Sequence, residues 1–188
     1  RLGEFNLETI FSVFLPKAIP DRFQDLDIPL KVVATDYYSA RSAVFETGPL
    51  HKALAASAAI PAIFLPVTIQ DRFFVDGSTT NPCPLAEVQD IADHVIAIDV
   101  TGGPTGDPSE RPSKVEVMYK TNQIMQQSIV RAKARLHPDT VLLRPTVNNY
   151  RALDFLKVTE ILEETSDLRD LVKWQIEAFA TEHAVDPT

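Results

Sequence analysis

The sequence predicts an α/β domain built on a largely parallel central sheet covered on both faces. Three apolar runs carry that reading: Lys31–Thr35, His94–Val100 and Thr140–Leu143. Each is short, rich in β-branched residues and continuous rather than alternating, as strands buried on both faces are. Segments of helical period lie between them, the order that βα units produce. The chain has 188 residues, 45% hydrophobic and 23% charged. That is the length of one domain, with enough apolar material to fill its core. Residues 1–188 are therefore read as parts of a single domain.

The elements follow in chain order. Leu7–Leu15 reads as a short helix stopped by Pro16, and Pro20-Asp21 opens a polar connection toward Pro29. The strand Lys31–Thr35 comes next and carries Asp36 at its carboxyl end. Val44-Phe45-Glu46 reads as a short edge strand. Gly48-Pro49 then introduces a helix through Ala53–Ala56 that must end before Pro61, since proline suits a helix start and not its interior. Val67–Ile69 and Phe73–Val75 flank the polar turn Gln70-Asp71-Arg72, which predicts a hairpin leading into Asp76-Gly77. A short helix is expected around Leu85–Val88, ahead of the strand His94–Val100. Three of the six glycines fall in the irregular stretch from Thr101 to Pro112. Ser113 and Glu116 form a capping-box pattern opening a helix to about Leu136. Beyond the third strand, Leu153, Phe155, Val158 and Leu162 keep helical spacing. After a break near Ser166, the set Leu168, Leu171, Val172, Ile176 and Phe179 lines one face of a last helix, and the tail from His183 is expected to fray.

Several function classes drop out. With 18 basic and 26 acidic residues the net charge is −8, and no basic stripe gathers to hold a phosphate backbone, so nucleic acid is not an expected partner. The longest nearly apolar stretch, Ala53 to Val67, is broken by Ser57, Pro61 and Pro66 and falls short of the roughly 20 residues that cross a bilayer. Cys83 has no second thiol to pair with. His51, His94, His137 and His183 show no metal-ligand spacing, so neither a metal nor a cofactor is expected. The first residue is Arg1, and the only methionines are Met118 and Met125, so the chain reads as a processed, clipped or truncated piece.

In open α/β sheets the working site lies beyond the carboxyl ends of the strands. Three places qualify: Asp36, Asp76 with Gly77, and Asp99 with the glycines after it. Asp76 follows an apolar run and precedes a glycine, a position from which a sharp turn aims a carboxylate into a cleft. An Asp-Gly turn that merely reverses the chain gives the same local pattern. Asp36 and Asp99 are kept as supporting residues, since strand-end aspartates more often accept loop hydrogen bonds than catalyse.

A larger constellation surrounds Asp76. Ala56-Ser-Ala-Ala-Ile-Pro-Ala-Ile-Phe-Leu-Pro-Val67, Arg72-Phe-Phe-Val-Asp-Gly77 and Asn81-Pro-Cys-Pro84 resemble the second half of the patatin-like phospholipases. So do Pro29-Leu-Lys-Val-Val-Ala-Thr-Asp36, Phe45-Glu-Thr-Gly-Pro-Leu50 and Val95-Ile-Ala-Ile-Asp-Val100. The resemblance is strongest over residues 25–100 and points to the bacterial group related to neuropathy target esterase. It implies a three-layer α/β/α fold whose early strands are absent from this chain. It also implies hydrolysis of lipid acyl esters by a serine and an aspartate without histidine, with Asp76 as the aspartate and Gly77 letting the backbone pass beside it. Ser78 stands where the family often has a second glycine.

The nucleophile is the departure from the pattern. A G-x-S-x-G elbow needs serine between two glycines on a strained strand-to-helix turn. The glycines so spaced are Gly102 and Gly106, with Pro104 between them. Neither the elbow nor the glycine-rich oxyanion loop is present, so this chain is expected to supply the aspartate, to be inactive alone and to associate with an amino-terminal serine-bearing segment. Lipid or acyl ester is the expected substrate, and the expected location is the cytoplasm or the periphery of a membrane. Two other readings stay open. One is a noncatalytic binding or regulatory module of the same fold. The other takes Ile96–Gly103 as a strand and glycine loop for a nucleotide phosphate, although that loop lacks G-x-G-x-x-G and the P-loop lysine.

Overall fold

The computed structural model describes residues 7, 11, 15–16, 18–61, 63–104, 107, 109–147, 150 and 155–184. Their contacts fall into two compact units, Arg1–Pro84 and Leu85–Thr188.

The first unit is built on a four-stranded sheet of order β2-β1-β4-β3, formed by β1 (Val32–Asp36), β2 (Arg41–Phe45), β3 (Val67–Ile69) and β4 (Arg72–Asp76). All five residues of β1 are buried, as its unbroken apolar run requires. Helix α1 (Leu50–Ser57) packs on this sheet through small residues: Ala55 and Ala56 are fully buried, and Ala56 meets Ala34 and Phe74. At the other end of the helix Leu50 and Ala53 join Phe23 and Val32. Each large side chain buried here, such as Leu50 or Phe74, contributes roughly 1.5–3 kcal/mol. Of the expected helix Leu7–Leu15, Leu7 and Phe11 are helical and lie a turn apart. Residues 8–10 and 12–14 lie outside the described set.

The α/β class holds, but the expectation of a largely parallel sheet fails in this unit, where all three pairings are antiparallel. Continuous β-branched residues report burial on both faces and say nothing of strand direction. Direction follows from the connections. Tyr37–Ala40 alone joins β1 to β2, and Gln70-Asp71 alone joins β3 to β4, whereas a parallel pair needs a crossover of a dozen or more residues. The expected edge strand is real and begins earlier, at Arg41. The hairpin Val67–Asp76 also matches the sequence reading.

Both central residues of that hairpin, Gln70 (φ 48°) and Asp71 (φ 59°), are left-handed, the backbone of a type I′ turn. Glutamine is poorly suited to that conformation, whereas asparagine adopts it readily. Gln70→Asn is therefore expected to stabilise the first unit by about 0.5 kcal/mol, seen as a higher urea midpoint at unchanged m-value.

The second unit contains α2 (Ala86–Gln89), β5 (Ile96–Ile98), α3 (Lys114–Leu136), β6 (Val141–Leu143), α4 (Val158–Glu164) and α5 (Ser166–Ala184). Here the parallel expectation is met: β5 and β6 pair in parallel, Ile96 opposite Val141 and Ile98 opposite Leu143, with α3 in the crossover. The capping box forms as read, Glu116 N–H donating to Ser113 Oγ (3.3 Å) and Ser113 N–H to Glu116 Oε2 (2.9 Å). Strand β5 is shorter than His94–Val100. His94 stacks on Phe179 with ring centroids 4.0 Å apart, and the chain leaves the ladder after Asp99 donates its N–H to Leu143. The apolar face expected on the last helix is only partly covered: Leu168, Val172 and Phe179 are half-buried, while Leu171 and Ile176 are exposed. Helix α5 continues through Ala184, and residues 185–188 lie outside the described set. No described helix is long and apolar enough to cross a membrane.

Candidate active site

Asp76 closes β4. The buried pair Phe74 and Val75 delivers it to the end of the strand, and a single 3₁₀ turn, Gly77–Thr79, begins at once. The ladder holds this position on one side only, through Ala34 of β1. Pairing with β3 stops at Val67 opposite Phe74. Asp76 N–H instead donates to the Ala59 carbonyl at 3.0 Å, taking a partner from the segment after α1. Its carbonyl accepts from Thr35 Oγ1 at 3.0 Å. Its carboxylate caps the turn, Oδ1 accepting from Ser78 N–H at 2.7 Å.

Burial raises the Asp76 pKa above the ordinary aspartate value of 3.8, and the hydroxyl and N–H of Ser78 pull it partly back. The physical cause is desolvation of the charged form, with no cationic partner among the described residues to offset it. Such a carboxylate is a stronger base than one in water.

Gly77 is buried, and its role is more specific than sparing a cleft. A Cβ at this position would lie 2.1 Å from the Val33 carbonyl oxygen and 2.8 Å from its carbon. The turn presses directly on the backbone of β1, which admits only glycine. Asn81 N–H donates to the Gly77 carbonyl at 2.8 Å and ties the far side of the turn down.

Asp36 lies on the same sheet but serves another end of it. The strand register sets Ala34 opposite Asp76 and Asp36 opposite Phe74, an offset of roughly 7 Å along the strand. Its carboxylate is bonded to the Arg72 guanidinium and accepts from Ser39 N–H at 3.2 Å. The Ser39 N–H, then the Arg72 guanidinium, hold Asp36 below the ordinary aspartate value against the opposing effect of burial. It is an ionised anchor for the β1–β2 turn, and it does not meet the Asp76 carboxylate.

Asp99 belongs to the second unit. It is buried, accepts from Arg144 Nε at 2.8 Å and from Thr101 N–H at 3.0 Å. The loop that follows turns its carbonyls toward α3: Gly103 O accepts from Lys120 Nζ at 2.9 Å, and Gln127 Nε2 reaches Thr101 O and Gly102 O at 3.3 and 3.2 Å. A phosphate cradle needs N–H groups facing inward, so this arrangement gives the nucleotide reading no support. Thr105 and Gly106 lie outside the described residues.

The segment after α1 contributes to the core: Ala59 packs with Leu7 and Ala55, against Phe64 and Val67. Cys83 is buried. The sequence assigns no role to Thr35 or Thr80, the first of which only ends a predicted strand, and Asn81 enters only as part of the Asn81–Pro84 motif. A signal for the first was present, because a hydroxyl in an otherwise aliphatic buried strand must find a partner.

Comparison with known proteins finds similarity to one family. Residues 4–88 match the model of the family described as patatin-like phospholipase. Relatives named as uncharacterized NTE family proteins occur in Mycobacterium bovis and in two strains of Mycobacterium tuberculosis. Each is 31% identical over 127 residues, 67% of this chain. The aligned region is 35% of each relative, so the chain spans about a third of the length of the curated relatives it matches.

Proposed function

Because the chain belongs to the patatin-like phospholipase family over residues 4–88, we propose that it is the aspartate-bearing portion of a lipid acyl-ester hydrolase, with Asp76 as its general base. The observation that carries the reading is a carboxylate made more basic by burial, with no cation beside it among the described residues and with its backbone held on both sides. In this reaction a serine from an amino-terminal segment attacks the ester carbonyl and passes its proton to Asp76. The tetrahedral intermediate expels the alcohol, which takes that proton from Asp76. Water then attacks the acyl-enzyme, again giving its proton to Asp76, and the returning proton restores the serine as the fatty acid leaves. Every step draws on side chains and water. A carboxylate can fill this role without histidine because only modest basicity is required once the proton transfer is concerted with attack.

The proposed substrate is an acyl ester of a lipid. The serine-bearing segment is the proposed partner. A fluorophosphonate probe added to the native sample, followed by denaturation and intact mass measurement, tests the arrangement, because the probe bonds only to an activated serine. A labelled second fragment beside an unlabelled 20.9 kDa chain is the expected result. A label on the 20.9 kDa chain itself would place the nucleophile here and overturn the division of labour. An unlabelled sample whose full-length gene encodes no G-x-S-x-G serine before Arg1 would favour the noncatalytic module.

A further inference from the structure

We infer that Thr35 is the positioning residue for Asp76, acting with Thr80 through a chain of two hydroxyls that ends on the Asp76 carbonyl. The inference rests on the reading of Asp76 as the base. Thr35 is buried on the central strand. Its Oγ1 donates to the Asp76 carbonyl at 3.0 Å and lies 2.8 Å from Thr80 Oγ1. A hydroxyl has one proton. Since that of Thr35 goes to Asp76, the proton between the two threonines comes from Thr80, and the direction is Thr80 to Thr35 to Asp76.

The place where this chain ends explains what it does. Strand pairing holds Asp76 on one side only: β1 sets Ala34 opposite it, but on the other side β3 stops at Val67, opposite Phe74. At this point the backbone must leave the strand and enter the 3₁₀ turn whose Ser78 N–H holds the carboxylate. The Asp76 carbonyl is the hinge of that change of direction. Thr35 holds it from β1, Ala59 holds the N–H of the same residue, and Thr80 returns from the far side of the turn to hold Thr35. One link therefore spans the strand before the base and the turn after it. Without the hydroxyl, valine would fill the same space but release the carbonyl, so the carboxylate would keep its surroundings and lose its aim. A displacement near 1 Å at a reacting group costs about 100-fold in rate.

The test compares Thr35→Val, Thr35→Ser and Thr80→Val in the full-length hydrolase, with a soluble p-nitrophenyl ester as substrate. Thr35→Val is expected to lower kcat by about 10-fold to 100-fold with KM within about twofold, while Thr35→Ser, which restores the hydroxyl, recovers most of the rate. Thr80→Val is expected to lower kcat in the same direction and less. Melting temperatures taken alongside separate aim from folding. If Thr35→Val proves too unstable to assay, the half-buried Thr80 supplies the comparison, and an unchanged kcat there overturns the inference. Wild-type kcat in Thr35→Val, or equal losses in the valine and serine variants, also overturns it. Asp76→Asn distinguishes the two levels: if that variant keeps its activity, the base assignment fails; if it is dead while Thr35→Val is normal, only the positioning role fails.

Discussion

Asp76→Asn in the full-length protein is expected to lower ester hydrolysis by about 10²–10⁴-fold, the contribution typical of a general base, while the fold is retained. Asparagine keeps the acceptor oxygen that caps the Gly77–Thr79 turn through Ser78 N–H, so the geometry survives and only the proton acceptor is lost. The same substitution is expected to raise stability at neutral pH. Burial gives Asp76 a higher pKa in the folded chain than in the unfolded one, so the folded state binds the proton more tightly. The stabilisation this gives is fully present below the unfolded value and is lost as pH rises through the folded value. At neutral pH the wild-type chain therefore bears a half-buried, partly desolvated charge that asparagine removes. The gain in melting temperature is expected to shrink as the pH is lowered through the carboxylate range. A loss of activity joined to a gain in stability is the signature of a site kept for chemistry. Wild-type activity is expected to fall on the acid side as Asp76 is protonated, at a pH above the ordinary aspartate value.

Gly77→Ala is expected to destabilise the first unit by about 3 kcal/mol or more, and to abolish hydrolysis with it. The added methyl would sit 2.1 Å from a backbone oxygen of the central strand, and no rotamer can relieve a clash between two pieces of backbone. Either the turn lifts away from β1, which breaks the Thr35 bond and displaces Asp76, or β1 itself shifts, although all five of its residues are buried. Urea unfolding of the chain reads the effect. An unchanged midpoint would show that the turn can move without consequence and would remove the structural argument for glycine.

These two neighbours show what the sequence does and does not reveal. The prominence of Asp76-Gly77 could be read from the apolar run before it and the glycine after it. The strands Val32–Asp36 and Val67–Asp76, helix α1 and the Ser113–Glu116 cap were equally legible, because period, proline placement and capping chemistry are local. Strand direction in the first sheet is not legible in the apolar pattern of β1, which reports burial; it follows from the four-residue connection to β2. Asp36 and Asp99 looked like companions of Asp76 because all three follow strands. Only pairing shows that each has its own arginine, Arg72 and Arg144. The contribution of Thr35 depends on register across 41 positions, which no local pattern carries.

The most direct measurement is the pH dependence of fluorophosphonate labelling by the full-length protein, compared between wild type and Asp76→Asn. Labelling requires the serine to lose its proton to a base and is independent of lipid packing or product release. The account predicts a wild-type rate that rises with pH through a single ionisation above 3.8, the ordinary aspartate value, and that is nearly abolished in Asp76→Asn across the range. Labelling of the variant at the wild-type rate, with the same pH dependence, would contradict the assignment of Asp76 as the base.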